Sequence, residues 1–277
     1  MTARIVVAAL QPTYMPESVV HLPILWGQLH SYARQFEELG PEHFAWAPPM
    51  WRTRAVAQML EEVGEPDVLA VSNYVWNQRN SHRLAQAVRA RFPDCLIVYG
   101  GPNVPNQSSS YLADHPWIDL LVHGEGERPF AEILREFRRA RPDWGRVRGV
   151  SFLRDGQQHF TELNPRLERL DYPSPILSGL MDPFLVQARR EHPHGAVIAG
   201  LDTTRGCPYA CAFCDWGMAT LSRVRRFPRE RIYRELDWVA ANGIAVVWLH
   251  DANFGLFRED PDIVRHIADL KGRTGFP

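Results

Sequence analysis

The stretch Asp202-Thr-Thr-Arg-Gly-Cys-Pro-Tyr-Ala-Cys-Ala-Phe-Cys-Asp-Trp-Gly217 decides how this chain is read. It places three of the four cysteines, Cys207, Cys211 and Cys214, at spacing C-x3-C-x2-C. Three thiolates so close together, on a loop with Gly206 and Pro208, suit a soft metal centre and can hold three irons of a 4Fe–4S cluster. No fourth cysteine is offered nearby, so one iron stays open to a substrate or cofactor. Zinc is a competitor, but structural zinc takes four closed ligands, usually in pairs, and the next histidine, His250, lies far along the chain. A disulfide would leave one of the three unpaired. Incidental core cysteines are the remaining reading, although free cysteines usually scatter. Cys95, beside an apolar run, reads as packing.

Outward from that loop the chain is ordinary in composition. It has 277 residues, enough for about two domains, and 45% of them are apolar. The net charge of −1 favours neither nucleic acid nor an anionic membrane. The apolar run Ile5–Leu10 is too short for a signal sequence and is stopped by Gln11-Pro12, and no stretch reaches transmembrane length. The expected location is the cytoplasm.

Before the loop, apolar runs alternate with helical periodicity. Strands are expected at Ile5–Leu10, Phe44–Ala47, Val68–Val71, Leu96–Tyr99 and Leu120–His123, and helices over Leu22–Leu39, Ala55–Val63, Ser81–Phe92, Ser109–Asp114 and Pro129–Arg139. Such alternation means a doubly wound parallel α/β sheet, with ligands beyond the carboxyl ends of its strands. Three polar or glycine-rich stretches follow those ends: Ser72-Asn-Tyr-Val-Trp-Asn77, Tyr99-Gly-Gly-Pro102 and Val122-His-Gly-Glu-Gly-Glu127. Taken singly, Gly100-Gly101-Pro102 reads as a turn, Gly124-Glu-Gly-Glu127 as an ordinary helix start, and Trp76 as a core aromatic. A hairpin is expected over residues 150–161, turning at Asp155-Gly156, and a proline-rich linker over 165–193. After it come a strand at Ala196–Thr203, a helix at Arg229–Asn242, a strand at Ala245–Leu249 and a helix from Pro261 to Leu270. The arginines from Arg223 to Arg234 read as a solvated helix start. The expected division is residues 1–145, a linker over 146–195, and residues 196–277.

The cysteine spacing, with Phe213 before the last cysteine and an apolar strand before the loop, resembles the radical S-adenosylmethionine (SAM) enzymes. The three strand-end stretches ahead of it resemble the cobalamin-binding domain of one large subfamily. The resemblance implies a Rossmann-like cobalamin domain followed by the start of a (β/α) partial barrel. It implies a 4Fe–4S cluster on Cys207, Cys211 and Cys214 whose open iron binds SAM, and SAM cleavage to a 5′-deoxyadenosyl radical. Phe213 is then expected near the adenine, and Asp251 and Asn253 near the SAM amino group, although the family's usual Gly-Gly-Glu is absent and either residue could cap a turn. Arg205 and Gly206 are expected to shape the start of the loop. Ser72, Asn73, Tyr74, Trp76, Asn77, Gly100, Gly101, Pro102, Gly124, Glu125 and Gly126 are expected around cobalamin. The Asp-x-His-x-x-Gly loop that gives cobalt a histidine in cobalamin-dependent mutases is absent; Gln11-Pro12-Thr13-Tyr14 stands there, leaving Tyr74, Trp76 or Asn77 to cover the lower face.

That resemblance implies methyl transfer to an unactivated carbon of a small-molecule or peptide substrate, with an electron donor such as flavodoxin or ferredoxin. Cyclisation or rearrangement, a radical SAM enzyme without cobalamin, and a non-catalytic cobalamin-binding or scaffold module are the alternatives. Two βα units are fewer than such a barrel has, so a C-terminally shortened chain is expected.

Overall fold

Parallel strands covered on both faces keep no polar side, which is why Ile5–Leu10 and Val68–Val71 are apolar throughout. The computed structural model describes residues 2–12, 16, 18–105, 110–166, 169–214 and 222–277. In chain order the elements begin β1 (Ala3–Ala8), β2 (Val19–His21), α1 (Ile24–Ala33), β3 (Phe44–Trp46), α2 (Val56–Val63), β4 (Val68–Ser72) and α3 (Gln78–Arg91). They continue with β5 (Leu96–Gly100), α4 (Tyr111–Asp114), β6 (Leu120–Val122), α5 (Glu127–Phe137), β7 (Val150–Arg154) and β8 (Gln157–Phe160). The last are α6 (Asp182–Glu191), β9 (Ala196–Leu201), β10 (Thr204–Arg205), β11 (Arg225–Arg226), α7 (Arg229–Ala241), β12 (Val246–Leu249) and α8 (Asp260–Thr274).

Two compact units divide the chain. Among the described residues the first draws on Met1–Tyr14 and Tyr32–Pro165, the second on Met15–Ser31, Arg166–Cys214 and Ala219–Pro277. In this division the two units meet between Pro165 and Arg166. The hairpin of β7 and β8 belongs to the first sheet, and the linker belongs to the second unit.

In the first unit the strands lie in the order β3-β1-β4-β5-β6-β7-β8. The first five are parallel; β7 and β8 are antiparallel additions. The chain steps from β1 to β3 on one side and then crosses to β4 on the other. That reversal makes a switch point between the carboxyl ends of β1 and β4, where sheets of this winding bind ligands. Val6, Leu69, Val71, Leu84, Val88 and Ile97 anchor one face of the core. The hairpin turns at Asp155 and Gly156, with φ of 52° and 75°, the left-handed pair that a tight hairpin turn needs.

In the second unit β2, β9 and β12 form a parallel sheet in the order β12-β9-β2. Two βα units, β9 to α7 and β12 to α8, match the expected start of a barrel. The helix expected over Leu22–Leu39 is shorter: α1 ends at Ala33, Glu37–Leu39 is a turn of 3-10 helix, and β2 precedes it. A three-residue strand carries too little pattern to be read, and β2 exists because Val19, Val20 and His21 pair with Ala196, Val197 and Ile198. The expected linker contains α6, whose Phe184, Leu185 and Ala188 are buried. Gly27 lets α1 pack closely, since a Cβ there would lie 2.6 Å from both Met181 Cε and Pro175 Cβ. Among the described residues no helix is long and apolar enough to cross a membrane.

Candidate functional site

The first unit presents its strand ends as a rim. After β4 the backbone turns sharply: Asn77 Nδ2 donates to the carbonyls of Leu10 (3.0 Å) and Ser72 (2.9 Å), while its Oδ1 accepts from the Tyr74 amide (2.8 Å). Asn73 donates its amide to the Gly100 carbonyl (2.7 Å), and its carbonyl accepts from the Asn103 amide (3.1 Å). Ser72, Asn73 and Asn77 are buried. The Asn77 side chain braces the loop, and Asn73 Nδ2 donates to the Asn103 carbonyl (3.3 Å). The same bracing lifts Val75 and Trp76 outward, 77% and 49% exposed, with the Trp76 ring stacked on Tyr74 at 4.3 Å.

Gly101 adopts φ 108°, and a Cβ there would sit 2.8 Å from the Asn73 carbonyl oxygen. Its freedom serves the close approach of the Asn73 backbone. Gly100 is unstrained and paired with Ser72, and Pro102 is half-buried. Gly124 has φ 78°, and among the described residues nothing lies within 4 Å of where a Cβ would point. Glu125 and Gly126 are half-buried, with Gly126 leading into α5. His123, directly after β6, is turned toward the hairpin, its Nε2 2.6 Å from Ser151 Oγ. Burial lowers its pKa to about 4, so its imidazole is neutral. Thr13 and Tyr14 lie outside the described residues.

In the second unit the cysteine loop leaves the carboxyl end of β9. Gly206, at φ 107°, allows the approach of the Arg223 carbonyl, which a Cβ would meet at 2.6 Å. Cys207 is buried, and its backbone is pinned on both sides: its amide donates to Ser222 Oγ (3.1 Å) and its carbonyl accepts from the Ser222 amide (2.7 Å). Cys211 and Cys214 are exposed, joined by a turn in which the Cys214 amide donates to the Cys211 carbonyl (3.0 Å). All three thiols are free of disulfides. Among the described residues no three His, Cys, Asp or Glu side chains are gathered at metal-binding range. Thiolates seldom converge before the metal that binds them, because metal binding and local folding are coupled. Phe213 stands 92% exposed, and Asp215, Trp216 and Gly217 lie outside the described residues.

The first turn of the loop is held from β12. Asp251 accepts hydrogen bonds from the Thr203 amide (3.1 Å), Thr203 Oγ1 (3.0 Å), Thr204 Oγ1 (2.6 Å) and the Thr204 amide. Burial raises its pKa and those donors pull it back. Asn253 Nδ2 donates to Cys207 Sγ at 3.0 Å. Asp251 thus locks the loop to β12 and Asn253 contacts a cysteine, because β12 runs parallel beside β9 and delivers its end to the loop. Asp202, absent from the sequence expectations, accepts from Gln28 Nε2 (2.8 Å) and Arg205 (3.1 Å) and lies 3.6 Å from His250 Nδ1. Burial alone would raise its pKa, but His250 and Arg205 hold the carboxyl below the usual carboxylate range. A Cβ on Gly200 would run into the His250 ring, so that glycine makes room for it.

Of the arginines after the loop, Arg223, Arg229 and Arg234 are exposed as a solvated face would be, whereas Arg225 is buried and Arg226 and Arg231 are half-buried. Arg205 lies over Tyr172 (5.0 Å) and Phe227 (5.5 Å), and Arg231 lies over Phe227 (4.1 Å) while pairing with Glu235 (2.9 Å). Arg226 pairs with Glu259 (2.7 Å) and buried Asp260 (3.0 Å). Ser222 and the two threonines had no legible signal, since their partners come from elsewhere in the chain.

No protein-family model matches the chain. It is 40% identical over 266 residues to the 2-(S-pantetheinyl)-carbapenam-3-carboxylate methyltransferase of Streptantibioticus cattleyicolor, covering 94% of this chain and 38% of that protein. It is 39% identical over 258 residues to the cobalamin-dependent radical SAM methyltransferase TokK of Streptomyces tokunonensis, covering 92% of this chain and 37% of the relative. The fold matches the radical SAM methyltransferase TsrM from Kitasatospora setae, a structure with cobalamin and a 4Fe–4S cluster bound, at a TM-score of 0.69 and 16% identity, over 99% of this chain and 52% of that one. The chain belongs to the cobalamin-dependent radical SAM family. It spans 38% and 37% of the length of these two curated relatives.

Proposed function

We propose that this chain carries the cobalamin module and the cluster-bearing first part of the barrel of a cobalamin-dependent radical SAM methyltransferase. The observation that carries the reading is the loop of three unpaired cysteines leaving the carboxyl end of β9. Cys207, Cys211 and Cys214 would hold a 4Fe–4S cluster, whose donor set they fit in number and softness. Phe213 would lie against the adenine of SAM.

In the first unit Tyr74 and Trp76, with Val75, would cover the lower face of cobalamin, and Gly100, Pro102 and Gly124–Gly126 would line its rim. An exposed indole and valine fit an apolar corrin face better than a polar ligand. His123 is turned away, so the loop offers no imidazole to cobalt. Together the bound groups would supply radical generation and a transferable methyl group; the protein orients them and excludes water. The acceptor would be an unactivated carbon of a small molecule, and the carbapenam carboxylates named for the first relative are the class to test first. A flavodoxin or ferredoxin would deliver electrons, and the cytoplasm suits an oxygen-sensitive cluster.

Anaerobic reconstitution tests this directly. About four irons and four sulfides per chain are expected, with cobalt retained from added cobalamin. Changing Cys207, Cys211 and Cys214 together to Ala should abolish the iron and spare the cobalt. Iron that survives this triple change would overturn the cluster assignment. A protein that takes up iron and no cobalt would overturn the cobalamin module.

A further inference from the structure

Cys207 differs from the other two cysteines of the loop. It is buried where they are exposed, its backbone is bonded on both sides to Ser222, and a side-chain amide points at its sulfur. That amide belongs to Asn253, at 3.0 Å. Two residues earlier Asp251 clamps Thr203 and Thr204, which lie just ahead of Cys207 in the chain. The clamp therefore fixes the end of β12 against the start of the cysteine loop.

We infer that Asn253 is a positioning residue that sets the reduction potential of the cluster through a hydrogen bond to the Cys207 sulfur. The inference rests on the proposal that Cys207 ligates a 4Fe–4S cluster. A ligating thiolate carries negative charge, and one-electron reduction of the cluster adds more of it. An N–H donor at the sulfur stabilises the reduced state more than the oxidised one, and such hydrogen bonds are among the determinants of cluster potentials. Asn253 would thereby bring the cluster within reach of a biological one-electron donor. Burial strengthens the effect, since a hydrogen bond in a low-dielectric site is less screened by water.

The test uses the reconstituted chain, with iron and sulfide counted first and the midpoint potential then measured by spectroelectrochemical titration. Asn253→Leu keeps the volume and removes the donor. Asn253→Asp keeps the shape and puts an acceptor where the donor was. At a fixed applied potential, Asn253→Leu should lower the reduced-to-oxidised ratio about tenfold, which corresponds to ~59 mV for one electron. Asn253→Asp should lower it further. A residue that merely packed the loop would not produce this order. Full iron content with an unchanged potential in both variants would overturn the inference, whereas absence of iron from the wild type would overturn the cluster proposal instead. The wild-type protein gives an independent reading if a variant fails to assemble. With 15N-asparagine, pulsed electron paramagnetic resonance of the reduced cluster should show coupling to the label. Its absence would equally overturn the inference.

Discussion

At the scale of single residues, the rim of the first sheet depends on Gly101. Its φ of 108° is open to glycine and costly for a side chain, and the Asn73 carbonyl oxygen occupies the place where a Cβ would go. Gly101→Ala should therefore destabilise the protein by about 2–3 kcal/mol, combining the left-handed backbone with the displaced loop. Urea unfolding checks this, and a loss below ~0.5 kcal/mol would show that the loop yields easily. Gly124 should behave differently, because nothing among the described residues lies within 4 Å of its Cβ position and the φ of 78° is what opposes a side chain. The two glycines are alike in sequence, each following a strand. Neighbouring backbone separates them, and no periodicity in the chain reports that.

At the scale of elements, the join between β12 and the cysteine loop hangs on one carboxylate. Thr203 and Thr204 are buried, and Asp251 takes up both their amides and their hydroxyls. Asp251→Ala would leave buried donors without a partner, at a cost of about 2–4 kcal/mol. Asp251→Asn keeps an acceptor oxygen and should cost clearly less. Thermal unfolding gives the order, and equal losses would mean that the site refills with water. The hairpin of β7 and β8 shows the opposite balance. Asp155-Gly156 was legible as a turn, because few residue pairs accept two consecutive left-handed conformations. Its pairing with β6 was not, since the partner strand is chosen by packing. In the same way α6 was hidden among prolines, although Pro183 stands in the first turn, where its missing amide is harmless.

At the scale of the whole molecule, half-buried His82 and buried His123 couple stability to acid. His82 and His123 both have pKa values lowered to about 4, by burial in each case and for His82 also by His115. The unfolded chain takes up these protons near pH 6.5 and the folded chain only near 4. Between those values the unfolded state binds more protons, so each histidine makes stability rise with pH, and its contribution is lost on acidification. Asp119 and Glu235, raised by burial, act in the opposite sense. The quantity to measure is therefore the melting temperature of wild type against His123→Gln, which keeps a partner for Ser151. The difference should change between about pH 4 and 6.5 and be flat above; a constant difference would contradict a buried neutral imidazole. The sequence by itself determined the alternation of strands and helices in the first unit, the two βα units of the second, and the cysteine loop. Those features follow from local periodicity and from close spacing along the chain. Only the tertiary structure decided that β2 joins the second sheet, that Asn73 and Asn77 turn inward, and that Asp251 and Asn253 serve the loop. Each of these depends on partners distant in sequence, brought within hydrogen-bonding reach by strand register and by the need to satisfy buried backbone groups.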